Sequence, residues 1–239
     1  MNIDAINMDF KELNDIVRSS KDKKIIVDNC IGQRYVGCAI SDKDIIINGT
    51  PGNAIGAYLN GAKITINGNA QDATGDTMND GEIIINGSSG DCTGLALRGG
   101  EIYVKENVGY RGGIHMKAYK EKLPILVVGG SAGNFLGEYL AGGRIIVLGL
   151  YNDACPVGNF CGTGMHGGKI YIRSEKLPED LPSQVVAEIA TDNDIKSIEP
   201  YILKYCKNFG IKIDEIMKKN FYVLSANSKN PYKQLYVHN

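Results

Sequence analysis

Two hydrophobic rhythms divide this chain. Near the N-terminus Phe10, Leu13, Ile16 and Val17 recur at helical spacing with Lys11, Glu12, Asn14, Asp15 and Arg18 opposite, which predicts an amphipathic helix. Lys24 to Val27 then reads as a short strand. From about Val36 to Arg173 the rhythm becomes a repeat anchored on Gly37, Gly56, Gly75, Gly94, Gly113, Gly137 and Gly162. The first four gaps are each 19 residues, and the last two are 24 and 25. Three residues after each anchor stands an apolar side chain: Ile40, Leu59, Met78, Leu97, Met116, Leu140 and Met165. Eight and ten residues after it stand aliphatic pairs, Ile45/Ile47, Ile64/Ile66, Ile83/Ile85, Ile102/Val104, Ile145/Val147 and Ile170/Ile172, with Ile125/Val127 four residues late.

A 19-residue period leaves no room for a helix-containing repeat. Ile47-Asn48-Gly49, Ile66-Asn67-Gly68 and Ile85-Asn86-Gly87 each describe the end of a period-two strand stopped by a pair that tolerates positive φ. Stacked units of this kind predict an all-β solenoid, a right-handed parallel β-helix of about seven coils with like residues in ladders about 4.8 Å apart. Gly52, Gly90, Gly109, Gly133 and Gly158, each four before an anchor, mark a second corner. The residues between the inward pairs, Ile46, Thr65, Ile84, Tyr103, Leu126, Ile146 and Tyr171, are expected to face outward as an apolar stripe. Such a stripe needs a cover, either the protein's own tail or a partner subunit.

Two insertions interrupt the period, about four extra residues near 117–122 and six near 149–156. Insertions into a strict repeat fall in loops and are frequent contact sites. Lys117, Lys120, Lys122, Tyr151 and Asp153 are therefore the candidate partner-contact residues. Beyond Arg173 the pattern predicts helices over 183–191 and 197–209, the second ended by Gly210. An extended arm follows from Asn220, carrying Phe221, Tyr222, Tyr232 and Tyr236. The expected organisation is an N-terminal cap over 1–28, the β-helix over 29–173, and a helical tail with an extended C-terminal arm over 174–239.

Charge and composition narrow the function. With 26 basic and 27 acidic residues and a net charge of -1, the chain has no electrostatic footprint for nucleic acid or an anionic membrane. No apolar run approaches the roughly 20 residues of a membrane span, and no signal-peptide pattern is visible, so a cytoplasmic protein is expected. The six cysteines form no C-x-x-C pair and read as buried thiols, with Cys155 and Cys161 a weakly signalled redox pair.

Two stretches imitate catalytic motifs. Gly162-Thr163-Gly164-Met165-His166-Gly167 matches G-x-G-x-x-G, but it leads into a strand where a dinucleotide site needs a helix. Gly129-Gly130-Ser131-Ala132-Gly133 matches the nucleophile elbow of serine esterases, with Asp153 and His166 following in the right order. The residues after Gly133, however, continue the repeat through Gly137 and Leu140. His115, His166 and His238 occupy different places in their repeats and do not form a ligand ladder. No catalytic, cofactor or metal site is expected on this chain.

Several stretches together resemble one family: 29–35, 56–69, 107–116, 137–143 and 162–168. Their order and spacing are similar to the GXGXG domain that ends the large subunit of glutamate synthase, and to the related GXGXG-bearing subunit of formylmethanofuran dehydrogenase. The resemblance implies a structural domain without catalytic residues, which holds other parts of the enzyme together. It places glutamine-hydrolysing chemistry and the FMN/iron-sulfur centre on separate domains that this chain lacks. The chain therefore looks like the separate subunit of a split glutamate synthase, involved in ammonia assimilation. Its implied partners are the FMN/iron-sulfur synthase and the glutaminase, with a homo-oligomer also open. The same scaffold in formylmethanofuran dehydrogenase is the alternative, and a serine esterase using Ser131 a further one.

Overall fold

The structure, a computed structural model, describes residues 1–151 and 154–227. The chain runs β1 (Asn2–Asp4), α1 (Phe10–Ser19), β2 (Lys24–Ile31), β3 (Asp44–Thr50), β4 (Asn60–Asn67), β5 (Asp80–Ile85) and β6 (Glu101–Val104). It continues through β7 (Ile125–Val128), β8 (Ala141–Val147), β9 (Gly167–Arg173), β10 (Val185–Ile189), α2 (Asp192–Phe209), α3 (Ile213–Ile216) and β11 (Phe221–Ala226). Asp9 caps α1 by accepting from the Lys11 amide, and the helix buries Leu13 and Val17 against the first strands.

The expected right-handed parallel β-helix of about seven coils is corrected by the strand pairing. What forms is one open, mixed sheet of 11 strands in the order β1-β2-β3-β4-β5-β6-β7-β8-β9-β11-β10. Pairing is parallel from β1 to β9, while β11 and β10 add antiparallel to the far edge. The reason lies in the backbone around each anchor glycine. Only the Ile-x-Ile segment of a repeat is extended over enough residues to make a named strand. Around the anchors the chain alternates into left-handed conformation, which breaks an extended strand. All seven anchor glycines have φ between 65° and 77°, and the positions two before and two after them are left-handed too, at 50° to 68°. These segments bond to one another as stacked turns: the Ala54 amide donates to the Asp72 carbonyl and the Gly75 amide to the Ile55 carbonyl, both at 2.8 Å.

The main core lies between the sheet and these turns. Ile45, Ile64 and Ile83 pair in register, and Ile40, Leu59 and Met78 from the turns join the same buried cluster. Register corrects the fifth repeat. Leu126 pairs with Ile102 and Ile145, and Val128 with Val104 and Val147, so the delay is five residues and not four. Leu126 and Val128 thus point into the core, while Ile125 and Val127 belong to the opposite face. A one-residue slip exchanges the two faces of a strand, and β7 is apolar at all four positions, so its pattern cannot reveal the slip.

From Tyr103 to Tyr171 the outward stripe is covered by the chain itself, while Ile46 and Thr65 stay half-exposed. Ile198, Ile202, Tyr205 and Cys206 of α2 cluster with Tyr103, Val127, Ile146 and Tyr171 of the sheet. The helix begins at Asp192, earlier than expected, because Thr191 and Asp194 form a reciprocal capping box. It ends at Gly210 in left-handed conformation, as the sequence predicts. The helix expected over 183–191 is instead strand β10, paired with β11 from Val185↔Ala226 to Ile189↔Tyr222. Sheet hydrogen bonding to the arm outweighs any local helical preference there, and Val185 and Val186 are β-branched. The arm is extended over Phe221–Ala226, while Tyr232 and Tyr236 lie outside the described residues. Buried Arg173 secures α3 by donating to the Ile216 and Glu215 carbonyls and to the Leu148 carbonyl.

Candidate functional site

The surface with the most unusual chemistry follows from the turn geometry. A residue two before or two after an anchor is left-handed, and its side chain joins a ladder on the surface of the turn stack. The earlier position holds Cys92, Arg111, Phe135 and Phe160 in successive repeats, and the later one Ala96, His115 and Tyr139. Phe135 and Phe160 stack with ring centroids 5.1 Å apart, and the Arg111 guanidinium lies 5.0 Å from the Phe135 ring centre. Arg111 is also held by Glu138, Nε to Oε2 at 2.9 Å. On the parallel ladder His115 and Tyr139 stack at 5.1 Å with only 7° between their planes. Phe160 remains 47% exposed and neighbouring Tyr110 54%, so aromatic surface is offered to solvent in quantity. The signal for these ladders lies in the sequence at two before and two after each anchor, but the inward aliphatic pairs are the stronger periodicity and mask it.

The insertion residues border the same face. Tyr119 and Lys122 bond to each other in a tight turn, with Lys120 left-handed at its tip and its Nζ 5.3 Å from the Tyr119 ring centre. Lys122 Nζ reaches Asp80 Oδ2 at 2.8 Å, and this contact, ahead of the cost of burial, holds the Asp80 carboxyl below its ordinary range. Lys117 is exposed. Tyr151 belongs elsewhere: its hydroxyl donates to the Lys105 carbonyl at 3.3 Å, past the far end of β6. The two insertions therefore flank opposite ends of the strands. Asp153 lies outside the described residues.

A charge cluster fastens α2 over the starts of β5 and β6. Lys204 Nζ stands 2.9 Å from Glu82 Oε1 and 2.5 Å from Glu101 Oε2, and Lys63 reaches Glu82 Oε2 at 2.9 Å. Burial acts to raise the Glu82 pKa, but the Lys204 and Lys63 contacts outweigh it and hold the carboxyl below its usual value. The Tyr103 hydroxyl donates to Glu101 at 2.8 Å, and burial, reinforced by that carboxylate, pushes its pKa far up. These charges neutralise one another and read as a structural clamp.

The motif-like stretches have packing explanations. A Cβ on Gly129 would collide with the Tyr205 hydroxyl, which donates to the Lys105 carbonyl at 2.8 Å. Ser131 donates its amide to Asn107 Oδ1 at 2.8 Å, has no left-handed backbone, and is followed by stacked turns in place of a helix. Gly167 opens β9, so no helix follows the G-x-G-x-x-G stretch either. His115 is in the aromatic ladder, the His166 ring lies 3.2 Å from the Gly164 carbonyl, and His238 is outside the described residues. Cys155 and Cys161 are both free thiols, and burial, with Cys155 a smaller influence, pushes Cys161 up to about 12. Among the described residues no group of three His, Cys, Asp or Glu side chains could hold a metal ion.

The GXGXG motif model matches residues 11–228, nearly the whole chain. The chain belongs to the GXGXG motif family. It is 45% identical over 249 aligned positions to the uncharacterized protein MJ1350 of Methanocaldococcus jannaschii, covering 98% of this chain and 95% of the relative. Its fold is also shared with a chain of the formyltransferase/hydrolase complex FhcABCD from Methylorubrum extorquens, solved in complex with methylofuran. That likeness has a TM-score of 0.68 at 19% identity and covers 95% of this chain and 91% of the other. No helix among the described residues is long and apolar enough to cross a membrane.

Proposed function

We propose that this GXGXG protein is a non-catalytic assembly subunit of a split glutamate synthase, docking the FMN/iron-sulfur synthase and glutaminase subunits. The observation that carries the reading is the turn face, where Phe135, Phe160, Tyr110 and Tyr139 are presented on a stiff, hydrogen-bonded stack. Aromatic and arginine side chains are the usual anchors of protein interfaces, and here Arg111 is positioned by both Phe135 and Glu138. A rigid presentation costs little conformational entropy on binding. Family membership supports the scaffold role. On this reading the flavin and iron-sulfur centre reside on the partner, and this chain contributes shape and contact.

A second reading, a scaffold like the GXGXG-bearing subunit of formylmethanofuran dehydrogenase, is favoured by the fold shared with a chain of the FhcABCD complex. Purification of the affinity-tagged full chain from its host, with mass spectrometry and cofactor analysis of the retained proteins, separates the two. A stoichiometric FMN/iron-sulfur protein supports the glutamate synthase assembly. Molybdenum- or tungsten-containing partners support the second reading, and recovery of the chain alone at moderate salt contradicts both.

A further inference from the structure

Two adjoining cavities of about 390 and 350 Å³ share Arg98 and Tyr119 as their common wall. They form one groove along the turn stack, from Ala39 in the first repeat to His115 in the fifth. At about 4.8 Å per repeat this spans roughly 19 Å, the length of about six extended residues. The depression exists because the position two after the anchor is small in places, Ala39 and Ala96, while Tyr58 and His115 rise beside it. No acidic residue lines either cavity. Lys122 is neutralised by Asp80, and nearby Glu138 by Arg111. Among the described residues no acidic side chain pairs with Arg98 or Lys117, and Glu121 sits exposed at the hairpin tip. In a chain of net charge -1 the groove therefore carries a local cationic excess over an alanine and tyrosine floor, with the Asn60 and Asn79 amides at its edge.

We infer that this groove receives an extended acidic segment of a partner polypeptide, its carboxylates meeting Arg98 and Lys117 and its apolar side chains lying on Tyr58 and Tyr119. The inference rests on the assembly reading above and names the chemistry of one docking partner. Two unpaired cations over an apolar floor suit a short carboxylate-bearing peptide, whereas a nucleic acid strand calls for a longer run of cations. Electrostatic attraction of this exposed kind is salt-dependent.

The test uses the full chain and fluorescein-labelled octaglutamate, read by anisotropy at low salt. Octaglutamate should bind, with octalysine inert and added salt releasing it. R98E/K117E should weaken it on the order of ten-fold, while K21E/K218E, the same charge change elsewhere, should not. Equal weakening by both variants, or displacement by an eight-nucleotide thymidine strand at lower concentration than by octaglutamate, would overturn the inference. Purification of both variants from the host separates it from its premise. Loss of a stoichiometric partner in R98E/K117E alone supports the groove. Retention by both variants overturns the groove and leaves the assembly reading standing, and no partner even for the unaltered chain overturns both.

Discussion

Left-handed backbone at the anchor glycines does not by itself explain glycine, because Ala54, Tyr58 and Phe135 adopt similar φ values close by. What excludes a side chain is the ladder inside: a Cβ on Gly56 would stand 2.7 Å from Ile83 Cδ1, whereas one on Gly94 would find Ile102 Cδ1 at 3.7 Å. G94A should therefore cost about 1 kcal/mol, the strain of a left-handed alanine, and G56A about 1 kcal/mol more from overpacking, as urea denaturation would read it. Equal losses would assign the effect to backbone strain alone. Asp194 provides a pH test. Hydrogen bonds, first from Lys169 Nζ at 2.6 Å and then from Thr191, bring its carboxyl down to about 2 from 3.8. Because the unfolded chain binds the proton more readily, this contribution is present above about pH 4 and is lost as pH falls toward 2. Denaturation at pH 5 and pH 2.5 should show a smaller acid loss for D194N than for the unaltered chain. The Thr-x-x-Asp signature of that cap stands in the sequence at 191–194, although the apolar pattern by itself points to a start at 197.

At the scale of elements, α2 closes the outer face of the sheet. Ile202 is fully buried there, and I202A should cost about 3 kcal/mol by thermal or chemical unfolding. Lys204 is 41% exposed, so K204M should cost only about 1–2 kcal/mol, less than a fully buried pair would, despite leaving Glu82 and Glu101 without their shared cation. A neutral K204M would mean that Lys63 and solvent suffice for Glu82. The inward ladders were legible because Ile-x-Ile recurs at a fixed offset from each anchor. Two things were not. The slip in β7 was hidden by Ile125-Leu126-Val127-Val128, which is apolar on both faces. The strand β10 depends on β11, some 40 residues away, and no local pattern carries a pairing at that distance. The number of sheets was equally hidden, because left-handed positions at Ala54 or Ala96 leave no residue signature comparable with glycine.

For the molecule as a whole, the stack has one face that α2 closes in part and one that is chemically busy. The sheet's outer face is occupied by α2 from Tyr103 to Tyr171, while the turn face keeps Phe160, Tyr110 and Tyr139 exposed, with Phe135 half-buried beneath the Phe160 stack. Sequence spacing located the glycine repeat and its inward ladders but pointed to a β-helix where one open sheet forms, and the aromatic ladders emerged only when the repeats were placed in register. Assembly through that face is the central claim, and it is tested most directly by sizing the native protein in a host extract at moderate salt before and after changing the face. The unaltered chain should migrate entirely within a larger complex, and F135E/F160E, which changes one half-buried and one exposed position of the ladder, should release it as a folded free chain. Migration of the unaltered protein as a lone chain, or retention of F135E/F160E in an unchanged complex, would contradict it.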